Sequence, residues 1–308
     1  VFQKFLAEDM LRTEEVGGLR LIYPEYLYQA EVQTSKRLLK LRDLADALEK
    51  VNVDKIIGQW ESEAGIVLAE AQKEAIHASL KYGVFVLTGG PGTGKTTVIK
   101  GILAVLEKAG CRILLAAPTG RAARRLADSS GHPAVTVHRL LEYTPNGGGF
   151  NFGKNDGDPL DADAIIIDEA SMLDITLTYH LLKAVQGGCR LIFVGDVDQL
   201  PSVGAGSVLK DIIRSQKMPV VRLENVFRQA EISPIVRNAH RINRGQMPEW
   251  EPSSDFTFVE IENEFDAAEY VANIYARLTQ QSDWQSVQVL SPMHKNPCGV
   301  QNLNHLLQ

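Results

Sequence analysis

The 308-residue sequence predicts an α/β protein in which a parallel β-sheet is covered by helices on both faces. Three observations carry this prediction. Short runs at residues 84–88, 113–117, 164–167, 191–194 and 220–223 are rich in Val, Ile and Leu and are bounded by Gly, Pro or Asp. Runs that are apolar throughout, rather than at alternate positions, suit strands buried on both faces of a parallel sheet. Amphipathic stretches separate the runs, and a glycine-rich turn joins the first run to the helix after it. A ligand site is therefore expected at the carboxyl ends of the strands.

Composition narrows the class. With 44% hydrophobic and 23% charged residues, the chain is that of a folded globular protein, and its length suits about two domains. No uninterrupted apolar stretch reaches the roughly 18 residues of a membrane span, and no basic-then-apolar leader opens the sequence. Cys111, Cys189 and Cys298 lie far apart with no metal-ligand spacing, so reduced thiols in a cytoplasmic protein are expected. The net charge of −6 means that nucleic acid, if bound, must meet a local basic surface.

Along the chain, residues 1–65 read as a helical accessory segment. Val32, Leu38, Leu41, Ala45 and Leu48 recur at helical spacing between Pro24 and Asn52. Residues 66–250 hold the main domain. A composition break at 247–254 reads as a linker. Beyond it come a strand at 256–260, a helix with Phe265, Ala268, Ala272, Tyr275 and Leu278 on one face, a strand at 287–291 and a last helix. Residues 251–308 are thus expected to begin a second α/β domain without completing it.

The first strand runs into Gly89-Gly90-Pro91-Gly92-Thr93-Gly94-Lys95-Thr96, which fits GxxxxGK[ST] at every fixed position. Glycines let backbone N–H groups curl around a phosphate, and the helix N-terminus adds positive potential. Lys95 is placed to reach the β- and γ-phosphates, and the Thr96 hydroxyl to ligate Mg²⁺. The run 164–167 delivers Asp168 and Glu169 to a strand end. There Asp168 could hold Mg²⁺ and Glu169 could orient or deprotonate an attacking water. The plain alternative is an acidic cap for the helix that begins near Asp174.

These pieces, in this order, resemble the superfamily 1 helicases of the RecD type. Leu68-Ala69-Glu70-Ala71-Gln72 is similar to the adenine-reading Q motif, 89–97 to motif I, and Ala117-Pro118-Thr119-Gly120-Arg121 to motif Ia. Thr136-Val137-His138-Arg139 follows, as in that family. Asp168-Glu169-Ala170-Ser171 resembles motif II, Gly195-Asp196-Val197-Asp198-Gln199 motif III, and Val226-Phe227-Arg228-Gln229 motif IV. Asn238-Ala239-His240-Arg241 and Ser291-Pro292-Met293-His294 add two matches. The resemblance spans about residues 66–308, and 23–31 are similar to the stand-alone, long-amino-terminus branch.

The resemblance implies a RecA-like P-loop domain, the cofactors ATP and Mg²⁺, and single-stranded DNA and duplex forks as partners. It implies an ATP-dependent helicase moving 5′-to-3′ in recombination and repair. Gln72, Gly90, Pro91, Gly92, Thr93, Gly94, Lys95, Thr96 and Thr97 become the nucleotide-binding set. Gln199 becomes a γ-phosphate sensor and Arg228 an arginine finger, although Gln199 could simply cap a turn and Arg228 could pair with Glu224. Thr119, Gly120, Arg121 and His138 become DNA contacts, although a lone His is more often structural. Arg121 and Arg125 share one helical face, which is also the pattern of plain solvated surface. Residues 141–159 match the place of a β-hairpin that acts as a pin at the fork, or form an ordinary loop. Motifs V and VI, resembling HKSQG and YTAITRA, do not occur in the 308 residues, so a fragment lacking them, inactive or weak by itself, is expected. Two other readings stay open: the RecD subunit of the heterotrimeric exonuclease V, with partner subunits, and a nucleotide-gated DNA clamp without turnover.

Overall fold

The computed structural model describes residues 5, 8–44, 51–146, 149–224, 233–250 and 255–308. The chain divides into two compact units, Val1–Ile232 and Ser233–Gln308.

Ahead of its first long helix, the first unit carries a β-hairpin. β1 (Leu11–Val16) and β2 (Leu19–Pro24) pair antiparallel around Gly17 and Gly18, which have φ of 58° and 80°. Two consecutive positive φ values make a tight hairpin turn that Gly-Gly supplies without steric cost. The helical reading of 1–65 does not include this hairpin. Helix α1 (Glu25–Leu44) follows and buries Leu38 and Leu41; Ala45 and Leu48 lie outside the described residues. Helix α2 (Val53–Ala64) starts where the Asn52 side chain accepts from Lys55 N at 3.0 Å and ends at Gly65, φ 65°. Helix α3 (Glu70–Lys81) leads into the sheet.

The central sheet contains β3 (Val84–Gly89), β4 (Ile113–Ala117), β5 (Ala134–Thr136), β8 (Ala164–Ile167), β9 (Arg190–Gly195) and β10 (Val220–Leu223). Their spatial order is β10-β3-β9-β8-β4-β5, and every pairing is parallel. Between β5 and β8, a short antiparallel hairpin of β6 (Tyr143–Asn146) and β7 (Gly149–Phe152) occupies the expected pin region; Gly147 and Gly148 lie outside the described residues. The connecting helices are α4 (Lys95–Lys108), α5 (Gly120–Ser130), α6 (Val137–Leu140), α7 (Ile175–Ala184) and α8 (Val208–Ser215).

Two cores explain the unbroken apolar strands. Val84, Val86, Ile165, Ile167, Leu191 and Phe193 pack on one face with Leu38, Leu41, Leu181 and Leu182. Phe85, Leu87, Ile166, Ile192 and Val194 pack on the other with Ile76, Ile99, Ile102 and Leu106. Successive residues of one strand point to opposite faces, so burial on both demands an apolar side chain at every position.

The second unit holds α9 (Pro234–Asn243), α10 (Glu264–Gln281) and α11 (Val300–Leu307), with no strand among its described residues. The expected strands at 256–260 and 287–291 are not formed, because a β-ladder needs a paired neighbour to satisfy its backbone. The compact division also falls at 232/233, ahead of the expected 250/251. Asn238 explains why: its side chain donates to Glu249 O at 2.8 Å and accepts from Glu249 N at 2.7 Å. Arg241 Nε donates to Met247 O at 2.8 Å, so the start of the expected linker is tied back onto α9. Residues 251–254 lie outside the described residues. On α10, Ala268 is buried as expected, whereas Phe265 is 73% exposed. No helix among the described residues is long and apolar enough to cross a membrane.

Candidate functional site

The loop leaving β3 is shaped by its glycines. A Cβ on Gly89 would come within 2.7 Å of Thr93 Oγ1 and 2.9 Å of Leu223 O on β10. Gly92 and Gly94 take φ of 73° and 86°, which side-chain-bearing residues rarely adopt. The buried Thr93 hydroxyl donates to Gly90 O at 2.9 Å and holds the loop curled. Helix α4 begins with Gly94 as its cap, which offers no side-chain acceptor, so its first-turn N–H groups and positive end face the loop. Lys95 Nζ reaches back across the loop and donates to the carbonyls of Gly89 (2.6 Å) and Gly90 (3.0 Å). Burial lowers the Lys95 pKa, while Asp196, Glu169 and Asp168 act against that shift. Gly90 and Thr97 are half-buried; Pro91, Gly92 and Thr96 are exposed.

Two strands away, β8 ends at Asp168, whose Oδ1 accepts from Glu169 N at 2.9 Å. Burial raises the Asp168 pKa, and the Glu169 N–H, Lys95 and Arg125 counter it. Burial also raises the Glu169 pKa; Asp168 adds to the rise, and Lys95 and Arg125 oppose it. Glu169 stands in the left-handed region, φ 51° and ψ 39°, a conformation that costs a side-chain-bearing residue about 1 kcal/mol or more. Its Oε2 is buried without a hydrogen-bond partner. The helix-cap alternative fails, since Asp174 is the residue that caps α7, accepting from Leu177 N at 2.7 Å. A half-buried carboxylate pair with an unsatisfied oxygen, together with the exposed Thr96 beside Lys95, is a set of hard oxygen donors of the kind that suits Mg²⁺.

Between them, β9 ends at Asp196, 3% exposed, which accepts from Asp198 N at 3.0 Å. Its charge falls on both Lys95 and Glu169. Sequence reasoning places Asp196 in a motif without giving it a role. Its signal is the one that marks Asp168, an acid at a strand's carboxyl end. Arg125, expected at most on a DNA-facing surface, instead exerts its field on Lys95, Asp168 and Glu169. Gln199 follows in the β9 loop, its N–H donating to Asp196 O at 3.2 Å and its side chain exposed. Gln72 is 3% exposed: its Oε1 accepts from Ala69 N at 2.9 Å, and its Nε2 lies 3.5 Å from Thr93 O, linking α3 to the loop. Arg228, with Val226, Phe227 and Gln229, lies outside the described residues.

The DNA candidates gather at the neighbouring strand ends. Thr119 caps α5, its hydroxyl accepting from Ala122 N at 3.3 Å; Gly120 opens the helix and Arg121 is exposed. His138 is half-buried at the base of the β6–β7 hairpin, 5.5 Å from the Tyr143 ring and 6.4 Å from Phe152. Phe152 in turn packs against His180, with ring centroids 4.4 Å apart and the planes tilted by 36°. Packing of that kind is the structural role of a lone His.

A family model described as AAA domain matches residues 72–205. The ATP-dependent RecD2 DNA helicase of Deinococcus radiodurans is 41% identical over 241 residues, covering 78% of this chain and 32% of its own length. The RecBCD enzyme subunit RecD of Mycobacterium tuberculosis is 44% identical over 167 residues, covering 47% of this chain and 28% of that subunit. The crystal structure of the Pif1 helicase from Candida albicans covers 68% of this chain and 55% of its own, at 21% identity and TM-score 0.45. The chain thus spans about a third of the length of the curated relatives it matches. With its parallel sheet, P-loop and ordered motifs, the chain carries a RecA-like P-loop domain, and its sequence is similar to that of the RecD-type superfamily 1 helicases.

Proposed function

We propose that this chain carries the ATP-hydrolysing motor site of a DNA helicase that acts 5′-to-3′ on single-stranded DNA. The observation that supports this most is the convergence of Lys95, Asp168, Glu169 and Asp196 at the ends of three adjacent strands. On nucleotide arrival, Lys95 exchanges the Gly89 and Gly90 carbonyls for the β- and γ-phosphate oxygens. The N–H groups from Gly92 to Thr97 supply the rest of the cradle. Thr96 and Asp168 would hold Mg²⁺, which supplies charge to offset that of the phosphates. Glu169, made more basic by burial, takes the proton of the attacking water. Gln199 senses the γ-phosphate, Gln72 positions the adenine side of the loop, and Arg228 supplies charge to the transferred phosphoryl group.

In the same reading, Thr119, Gly120 and Arg121 meet DNA phosphates, His138 supports the β6–β7 hairpin, and that hairpin stands at the duplex fork. The longer match to the RecD2 relative, 241 residues against 167, supports the stand-alone branch over an exonuclease V subunit. Steady-state ATPase activity with and without single-stranded DNA tests the proposal. Stimulation by DNA is expected in a chain extended through motifs V and VI, and nucleotide binding without turnover in that extended chain would favour the clamp instead.

A further inference from the structure

A cavity of about 440 Å³ opens between β2, α1 and α8. Its volume lies within the ~300–1,000 Å³ typical of small-molecule sites. Neither Lys95, Asp168, Glu169 nor Gln199 lines it. The walls are apolar, formed by Leu27, Leu38, Val208, Ile212 and Met218 among others. Against that background, Thr34 lines the cavity at 4% exposure with its hydroxyl unpaired. A buried hydroxyl without a partner is costly, and a ligand that bonds to it removes the cost.

Spacing along α1 shows what else the hydroxyl stands beside. Leu27, Glu31, Thr34 and Leu38 follow at intervals of four, three and four, one face of the helix. The polar pair Glu31 and Thr34 is thus flanked by leucines. Asp211 on α8 lines the same cavity, and burial together with the Asp211 charge raises the Glu31 pKa. Two carboxylates stand against one lysine, Lys217, among the lining residues, so the rim is acidic on balance. The floor includes Ala205 and Gly206, and Ala205 O accepts from Ile175 N at 2.8 Å. An occupant would therefore rest on the loop that carries Gln199.

We propose that this cavity binds a small organic cation with an apolar body, its ammonium group held by Glu31, Asp211 and the Thr34 hydroxyl. Charge complementarity selects the cation, and the leucine walls take the body. Titration calorimetry of the 308-residue chain with n-octylammonium, n-octanol and n-octyl sulfate, each below its micellar concentration, tests this. The ammonium is expected to bind one per chain, about tenfold or more tighter than the alcohol, with the sulfate weakest. Glu31→Gln should remove most of that preference, and Thr34→Val should weaken the ammonium several-fold. Ser35→Trp, at an exposed lining position, should block binding while the melting temperature holds. Should Ser35→Trp fail to fold, Glu31→Gln, at an exposed position, still decides the matter. No ammonium binding, equal affinity for all three probes, or an unchanged preference in Glu31→Gln would each overturn the proposal.

Discussion

The ends of β3, β8 and β9 and the ends of β4 and β5 border one sheet, yet they are built differently. At the first edge, charges are drawn out of water against one another: Lys95, Asp168 and Glu169 shift one another's protonation, Asp196 adds its charge to Lys95 and Glu169, and Glu169 keeps an unpaired oxygen. At the second, Arg121 is exposed, the Thr119 hydroxyl caps a helix and His138 packs on aromatic rings. A compact, multiply charged ligand such as a nucleotide can offset the cost of buried charge, so its site can be preorganised out of water. A long polyanion is met from the surface, by donors that cost little when it is absent.

If that contrast is sound, variants at the first edge should have the larger effects. Glu169→Gln should cut ATP turnover by roughly a hundredfold or more while nucleotide binding persists. Because burial raises the Glu169 pKa, its base form is lost as pH falls through that raised value. Turnover should therefore decline on the acid side at a higher pH than an ordinary carboxylate would give. That limb should be absent from the residual activity of Glu169→Gln, as pH–rate profiles of the two proteins would reveal. Asp196→Asn, which removes a charge acting on Lys95 and Glu169, should lower turnover by about tenfold. Near-normal turnover would remove Asp196 from the site.

Arg121→Ala at the second edge should weaken single-stranded DNA binding modestly and reduce its salt dependence by about one counterion, with ATP affinity unchanged. A matching loss of ATP affinity, read by fluorescence titration, would erase the distinction between the edges. Thr119→Ala should cost about 1 kcal/mol of stability through the lost helix cap, measured by denaturant titration.

Much of this architecture is legible in the sequence because buried parallel strands leave a composition signal. The runs at 113–117, 164–167 and 220–223 match β4, β8 and β10, and β3 and β9 differ only at their ends. The three-residue β5 is too short to leave one. The β1–β2 hairpin carries its signal in Gly17-Gly18, but the helical spacing that follows in α1 dominates residues 1–65. In the second unit, apolar runs alone suggest strands, although pairing is what makes a strand.

The site divides along the same line. The phosphate loop and Asp168-Glu169 are local in sequence and can be read directly. Asp196 and Arg125 act through space, one from β9 and one from α5, so only the assembled sheet joins them to Lys95. His138 moves the other way, since its aromatic partners Tyr143 and Phe152 become neighbours only when the hairpin closes.

In the proposed cycle Lys95, now bonded to the Gly89 and Gly90 carbonyls, releases them to hold nucleotide phosphates. Calorimetric titration of Mg·ATP into the wild-type chain and into Lys95→Ala, with melting curves to verify the fold, tests it most directly. The expected result is a loss of affinity of roughly tenfold to a hundredfold, the scale of a charge-assisted hydrogen bond to phosphate. Equal affinity in two equally folded proteins would contradict it.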